Sequence, residues 1–128
     1  MSKKNSGTPV GYMLTQNKKQ MTQALSQKNF KTEIFDSMNL TLVQFKMEWS
    51  GACQIIAPIF EELSTSYKGQ VKFYTVDAET ESQIGMEYGI TEYPTILFFR
   101  NGKIVDHIKG LTPKNIMISK IENALQQN

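Results

Sequence analysis

The chain contains one cysteine, Cys53, which follows Ser50 by three positions and precedes an apolar run. An ionised thiol is a nucleophile and a metal ligand, but a single cysteine excludes an intramolecular disulfide and a zinc site of several thiolates. A serine nucleophile would need a histidine base, and the only histidine, His107, lies on a predicted edge strand with no placed acid. Two interpretations of Cys53 stay open: a lone reactive thiol, or a small, partly buried and weakly reactive side chain.

The flanking residues predict that Ser50 and Cys53 lie at the amino terminus of a helix. Residues 40–47 form a short run that is apolar on both faces, which is typical of an internal strand. Apolar residues then recur at helical spacing over residues 55–67, and Pro58 lies inside that helix. Free N–H groups and the positive end of the helix dipole stabilise an anion here, including a thiolate. Ser50 is also a residue type that caps helices well.

The remaining pattern predicts a single α/β domain with a central sheet. From residue 29 the order is helix, strand, helix, strand, helix, strand, strand, helix, and the first helix is predicted over residues 30–38. Asn101-Gly102 is a strong two-residue hairpin signal, so residues 103–109 should form an antiparallel edge strand. We expect Thr112 to cap the last helix.

Four landmarks in this order resemble the thioredoxin family, over about residues 29–126. The first is Trp49-Ser50-Gly51-Ala52-Cys53 before a Pro-kinked helix, where the family has Trp-Cys-Gly-Pro-Cys. The others are the sequence from Tyr88 to Thr95, which matches the cis-proline loop, the Asn101-Gly102 hairpin, and Gly110, which matches the glycine beside the substrate groove. The resemblance implies a thioredoxin fold, an α/β fold with a central mixed sheet flanked by helices.

The redox residues depart from the family's pattern. Ser50 stands at the position of the first cysteine, the exposed nucleophile, and a hydroxyl cannot exchange disulfides. Cys53 matches the second, resolving cysteine, which has no mixed disulfide to attack when the first is missing. The family's buried acid falls on Gln44, whose amide cannot act as a general base, and the lysine that pairs with it in many members falls on Thr75. Lys46 stands where the family often has a tryptophan.

Two origins of Ser50 stay open: a natural change at this position, or a laboratory replacement of a cysteine. A replacement made to trap substrates usually targets the second cysteine and leaves the buried acid in place. Here the nucleophile and its supporting charges, at Gln44 and Thr75, are missing together. This grouping favours a natural change.

The resemblance also implies a groove for an extended peptide. We expect Pro94 to be cis, which in the family exposes the backbone of the preceding residue for strand-like pairing. Glu92 adds a negative charge to the rim and should bias the groove against acidic partners. The alternative is that the fold keeps a cis-proline for structure alone. The predicted groove residues are Trp49, Gly51, Ala52, Tyr93, Pro94 and Gly110.

Charge is unevenly distributed along the chain. Residues 1–28 carry five lysines and no acid, whereas residues 29–128 carry nine basic and twelve acidic residues. We expect residues 1–28 to be a basic, flexible extension and residues 29–128 to be the thioredoxin-like domain. A partner-docking arm and a cleaved targeting peptide are the alternatives for the extension.

The sequence predicts a cytoplasmic protein without a membrane or nucleic-acid partner. No stretch approaches the ~18 consecutive apolar residues of a membrane span, and no apolar signal region follows Lys4. The lysines of the extension are poor evidence for nucleic-acid binding. We expect no cofactor and no metal, because the acidic run over residues 77–87 lacks the spacing of a calcium loop and no Gly-rich phosphate loop is present.

Two functions follow from these observations. The first is a thioredoxin-like protein whose two-cysteine exchange is disabled at Ser50 and which retains peptide or protein binding at the cis-proline groove. The alternative is a protein-disulfide oxidoreductase of cell redox homeostasis, acting through Cys53 alone or with Ser50 as an engineered replacement. Partners are protein or peptide clients, with thioredoxin reductase or glutathione as redox partners.

Overall fold

A computed structural model of the chain describes residues 22–35 and 37–127. That part of the chain contains five strands and four helices. In chain order the elements are β1 (Gln23–Ala24), α1 (Phe30–Phe35), β2 (Leu40–Lys46), α2 (Gly51–Ser66), β3 (Val71–Asp77), α3 (Ser82–Glu87), β4 (Thr95–Arg100), β5 (Lys103–Lys109) and α4 (Lys114–Gln126).

The five strands form one mixed sheet in the order β1-β3-β2-β4-β5. β3 pairs in parallel with both β1 and β2, whereas β4 pairs antiparallel with β2 and with β5. The hairpin between β4 and β5 turns at Asn101 and Gly102, whose φ angles of 54° and 78° are both positive, as its tight turn requires. The predicted α/β fold with a central mixed sheet flanked by helices is confirmed.

β2 lies at the centre of the sheet and is buried on both faces. Leu40 and Leu42 pack with α2 and α4, and Val43 and Phe45 pack with α1 and α3. This alternation follows from the period of two residues in a strand, so the run that is apolar on both faces forms an internal strand as expected. β2 therefore ends at a fixed place in the fold, and the loop that carries Ser50 starts there.

The described fold starts before the predicted domain boundary at residue 29. β1 pairs with β3, and Leu25 is buried in the cluster under α1. A strand of two residues, Gln23 and Ala24, is too short to show an alternating pattern, so it could not be predicted from the sequence. Residues 1–21, where most of the predicted basic extension falls, lie outside the described residues.

Two further expectations differ from the structure. α1 ends at Phe35, short of the predicted residue 38. Thr112 does not cap α4: that helix starts at Lys114, and the Thr112 hydroxyl donates to the carbonyl of Gly110 at 3.3 Å. Pro113 has extended backbone angles, so the helix starts one residue later than the sequence suggested and leaves Thr112 outside capping range. No helix of the described ranges is long and apolar enough to cross a membrane.

Candidate functional site

Ser50 is the N-cap of α2, at the end of the loop that leaves β2. Its backbone is extended, with φ −77° and ψ 125°, and its Oγ accepts a hydrogen bond from the Cys53 N–H at 3.3 Å. The Ser50 carbonyl accepts the first helical bond, from the Gln54 N–H at 3.0 Å. A serine hydroxyl suits this position because the first N–H groups of a helix have no partner within it. The residue at the family's nucleophile position therefore caps the helix.

Cys53 lies in the first turn of α2 and is only 4% exposed. Its Sγ accepts a hydrogen bond from the Met47 N–H at 3.5 Å, which directs the thiol back toward the end of β2. The thiol also borders a cleft of about 180 Å³ whose other lining residues are Lys46, Met47, Glu48, Gln54 and Ala57. Cys53 therefore lines a small cleft, although the residue itself is almost fully buried.

Gln44 and Thr75 occupy paired positions on neighbouring parallel strands. Gln44 is 1% exposed, and its Nε2 has no hydrogen-bond partner within the described ranges. These are the positions that the resemblance matched to the family's buried acid and its lysine, and the fold brings them together. Both are neutral here, so the interior beneath the site supplies no proton acceptor at Gln44.

The loop before β4 forms the other side of the site. The Tyr93–Pro94 peptide bond is cis, and Pro94 is buried. The Pro94 carbonyl accepts a hydrogen bond from the Gly110 N–H at 2.7 Å, which ties the start of β4 to the end of β5. Trp49 lies in the loop that leaves β2 and is 69% exposed. Four of the predicted groove residues therefore lie at the ends of adjoining strands: Trp49, Tyr93, Pro94 and Gly110.

Gly51 and Ala52, the other predicted groove residues, form the first turn of α2. Gly51 is exposed, Ala52 is half-buried, and a Cβ added at Gly51 would meet nothing within 4 Å. This surface is therefore open toward the solvent. The positive end of the helix dipole lies here, so the first turn of α2 is the electropositive side of the site.

An aromatic cluster supports the Pro94 loop from below. Tyr88 packs against Phe30, Phe45 and Phe99 with ring centroids 5.6–6.5 Å apart. Burial, and secondarily the neighbouring Glu87 carboxylate, raises the pKa of Tyr88, so its phenol stays neutral. The loop therefore rests on a packed apolar base, which fixes the position of its backbone.

Glu92 places a carboxylate beside Gly110. A Cβ added at Gly110 would lie 3.2 Å from Glu92 Oε2, so the carboxylate lies directly over that glycine. The Thr95 hydroxyl donates to the Glu92 carbonyl at 2.7 Å and holds the backbone of the loop. Glu92 itself is exposed. The site consequently has an electronegative side at Glu92, opposite in sign to the first turn of α2.

Sequence reasoning missed the cleft beside Cys53 and the contact from Met47. The available signal was Lys46, because a flexible side chain stands where the family often has a bulky indole. Within residues 22–35 and 37–127, no group of three or more histidine, cysteine or acidic side chains could hold a metal ion.

The fold and these landmarks define a thioredoxin-fold protein with a Ser-Gly-Ala-Cys motif at the start of α2. A family model described as Thioredoxin matches residues 21–123. The thioredoxin of Chlorobaculum thiosulfatiphilum is 38% identical over 95 residues, which cover 74% of this chain and 88% of that protein. The thioredoxin of Rickettsia felis is 35% identical over 105 residues, which cover 82% of this chain and 100% of that protein. The chain therefore belongs to the thioredoxin family of thiol–disulfide oxidoreductases, which act on protein substrates.

Proposed function

We propose that this family member binds extended protein or peptide segments at the groove beside Pro94 and does not carry out two-cysteine disulfide exchange. The observation that carries the proposal is the state of two residues at the start of α2, Ser50 and Cys53. Ser50 is engaged as a helix cap, and Cys53, the only cysteine, is 4% exposed. Disulfide exchange needs an accessible thiolate to attack first, and neither residue offers one.

The groove residues support the binding part of the proposal. An extended peptide adds to an exposed backbone edge by main-chain hydrogen bonds, and neighbouring side chains give specificity. The hydrogen bond between Gly110 and Pro94 holds two strand ends together at this edge. Trp49, in the loop that leaves β2, offers a large aromatic surface that is 69% exposed, and aromatic side chains are frequent anchors in protein interfaces.

The proposed clients are proteins or peptides, and the proposed location is the cytoplasm. A lone unpaired thiol remains reduced in that compartment, where glutathione and thioredoxin keep thiols from forming disulfides. Thioredoxin reductase has no active-site disulfide to reduce in a chain with one cysteine. It is therefore not a partner under this proposal.

The single tryptophan makes binding directly measurable. Trp49 is the only tryptophan, so its emission reports on the groove without interference. Titration with an unstructured peptide that contains no tryptophan should shift this emission and saturate. Tyr93→Ala should weaken the binding, whereas Ile104→Ala, an exposed apolar residue on β5, should leave it unchanged. An emission that stays constant up to millimolar peptide, together with no binding by calorimetry, contradicts the proposal.

The cleft beside Cys53 favours a second candidate, a monothiol oxidoreductase. In that reaction the Cys53 thiolate attacks glutathione disulfide, forms a protein–glutathione disulfide and releases one glutathione thiolate. The observation in its favour is that Cys53 lines this cleft together with Lys46 and Gln54. Labelling of Cys53 with a small aromatic disulfide tests it. Labelling near the rate of the urea-unfolded chain supports the monothiol reaction, and labelling a hundred times slower excludes it.

A further inference from the structure

Within residues 22–35 and 37–127, the Glu92 carboxylate forms no ion pair. The ion pairs within the described ranges join Lys31 to Glu87, Lys114 to Glu62 and Lys120 to Asp106, and none reaches Glu92. Lys109 is adjacent to Gly110 in sequence, yet its ammonium does not come within 4.0 Å of that carboxylate. Glu92 is exposed, so its charge is available to a peptide bound over Gly110.

The two ends of the groove therefore differ in electrostatic character. At one end, the first turn of α2 presents free N–H groups at Gly51 and Ala52, which favour negative charge. At the other end, Glu92 Oε2 lies over Gly110 and favours positive charge. Pro94 lies between these ends, bonded to Gly110 and buried against the fold. A peptide lying over Pro94 meets both charges, one on each side.

We propose that the groove selects peptide segments with a lysine or arginine at the position over Gly110, and that Glu92 is the residue that sets this preference. The inference rests on the proposed function, since it specifies which peptides the groove binds. Charge complementarity carries it: an exposed carboxylate that forms no ion pair within the described part of the chain attracts a cation and repels an acid. Tyr93, the residue next to Glu92, is half-buried and adds apolar surface for the long stem of such a side chain.

The expected preference is small because the carboxylate is exposed. Solvent-exposed ion pairs have modest energies. Salt also screens them, because the Debye length is about 8 Å at physiological ionic strength. We therefore expect a lysine peptide to bind about threefold tighter than a neutral peptide, and a glutamate peptide about threefold weaker. The difference should shrink when the salt concentration is raised to about 1 M, where the Debye length is about 3 Å.

Three ten-residue peptides that differ at one central position, lysine, glutamine or glutamate, test the inference through Trp49 emission. The wild-type chain should rank them lysine, glutamine, glutamate, and Glu92→Gln should bind all three alike. Glu79→Gln, which removes the same charge from the exposed β3–α3 turn, is the matched control and should keep the ranking.

Equal binding of the three peptides to the wild-type chain overturns the inference and leaves the proposed function intact. A ranking that survives Glu92→Gln also overturns it, because another charge is then responsible. Binding of none of the peptides contradicts the proposed function itself. The two failures are thus distinguishable in one set of titrations.

Discussion

Gln44 and Thr75 lie side by side on β2 and β3, in the register of the parallel ladder. Gln44 is buried and its amide Nε2 has no partner within the described part of the chain. The resemblance matches the family's buried acid and its lysine to these two positions, and both residues are neutral here. With Ser50 at the position of the first cysteine, they support the proposal that the chain does not carry out two-cysteine disulfide exchange.

Restoring the nucleophile alone should give little activity. Ser50→Cys is expected to reduce insulin slowly with dithiothreitol, because Gln44 cannot accept the proton of the Cys53 thiol. Adding Gln44→Asp should raise the rate about tenfold, less than the ~100-fold of a well-placed general base, since Thr75 supplies no cation. The turbidity of precipitating insulin chains measures both rates.

The control for this comparison is Gln70→Asp in the Ser50→Cys background. Gln70 is exposed in the turn between α2 and β3, so the same substitution there should leave the rate unchanged. A single Ser50→Cys variant as fast as the double variant would show that the buried acid is dispensable in this chain.

The cap at Ser50 should contribute measurably to stability. Ser50→Ala removes the acceptor of the Cys53 N–H and is expected to lower the free energy of unfolding by about 1 kcal/mol. Ser66→Ala, at the exposed end of the same helix, should change it by less than about 0.5 kcal/mol. Urea denaturation followed by circular dichroism gives both values. Equal effects of the two substitutions would argue against a capping role.

A side chain at the hairpin glycine Gly102 should be destabilising for two reasons, its positive φ and its contact with Phe35. Its φ is +78°, and an added Cβ would lie 2.5 Å from Phe35 Cδ1. Gly69 has a similar φ of +88° but open space around it, so Gly69→Ala reports the conformational cost alone, about 1–2 kcal/mol. Gly102→Ala should cost more than Gly69→Ala in urea denaturation.

If the contact with Phe35 causes the extra cost of Gly102→Ala over Gly69→Ala, removing the Phe35 ring should abolish that extra cost. In the Phe35→Ala background, Gly102→Ala is expected to cost the same as Gly69→Ala. An excess that persists without the ring would assign the sensitivity of Gly102 to the turn itself.

Stability should fall at alkaline pH because of Tyr67. Its hydroxyl donates to Glu122 Oε2 at 2.6 Å, and burial, followed by that hydrogen bond, raises the pKa of Tyr67 to about 12. An unfolded tyrosine titrates near pH 10, so the folded chain holds this proton longer than the unfolded chain does. The contribution is complete below pH 10 and is lost as the pH rises toward 12.

Urea midpoints between about pH 9 and pH 11.5 measure this loss. Tyr67→Phe should make the decline shallower, whereas Tyr93→Phe, whose hydroxyl contacts only the Ile90 carbonyl at 3.5 Å, is the control. Tyr74 contributes in the same direction, because burial and its bond to Glu33 raise its pKa as well. Identical declines for wild type and Tyr67→Phe would contradict the assignment.

Much of the fold could be predicted because its signals are local. The apolar run of β2, the helical spacing after Ser50 and the turn at Asn101-Gly102 each depend on residues close together in the chain. The two-residue strand β1 and the start of α4 could not be predicted this way. β1 exists only because β3 offers it a partner, and α4 begins only after Pro113, whose backbone is extended.

The sequence by itself determined the family resemblance, the missing first cysteine and the neutral residues at Gln44 and Thr75, since these are matters of residue type and order. Only the tertiary structure decided how the remaining groups meet. It turns the Cys53 thiol toward the Met47 N–H, and it lays the Glu92 carboxylate over Gly110. Distances such as that between Glu92 and Gly110 depend on the pairing of β4 with β5 and on packing of both sheet faces, which no local pattern encodes.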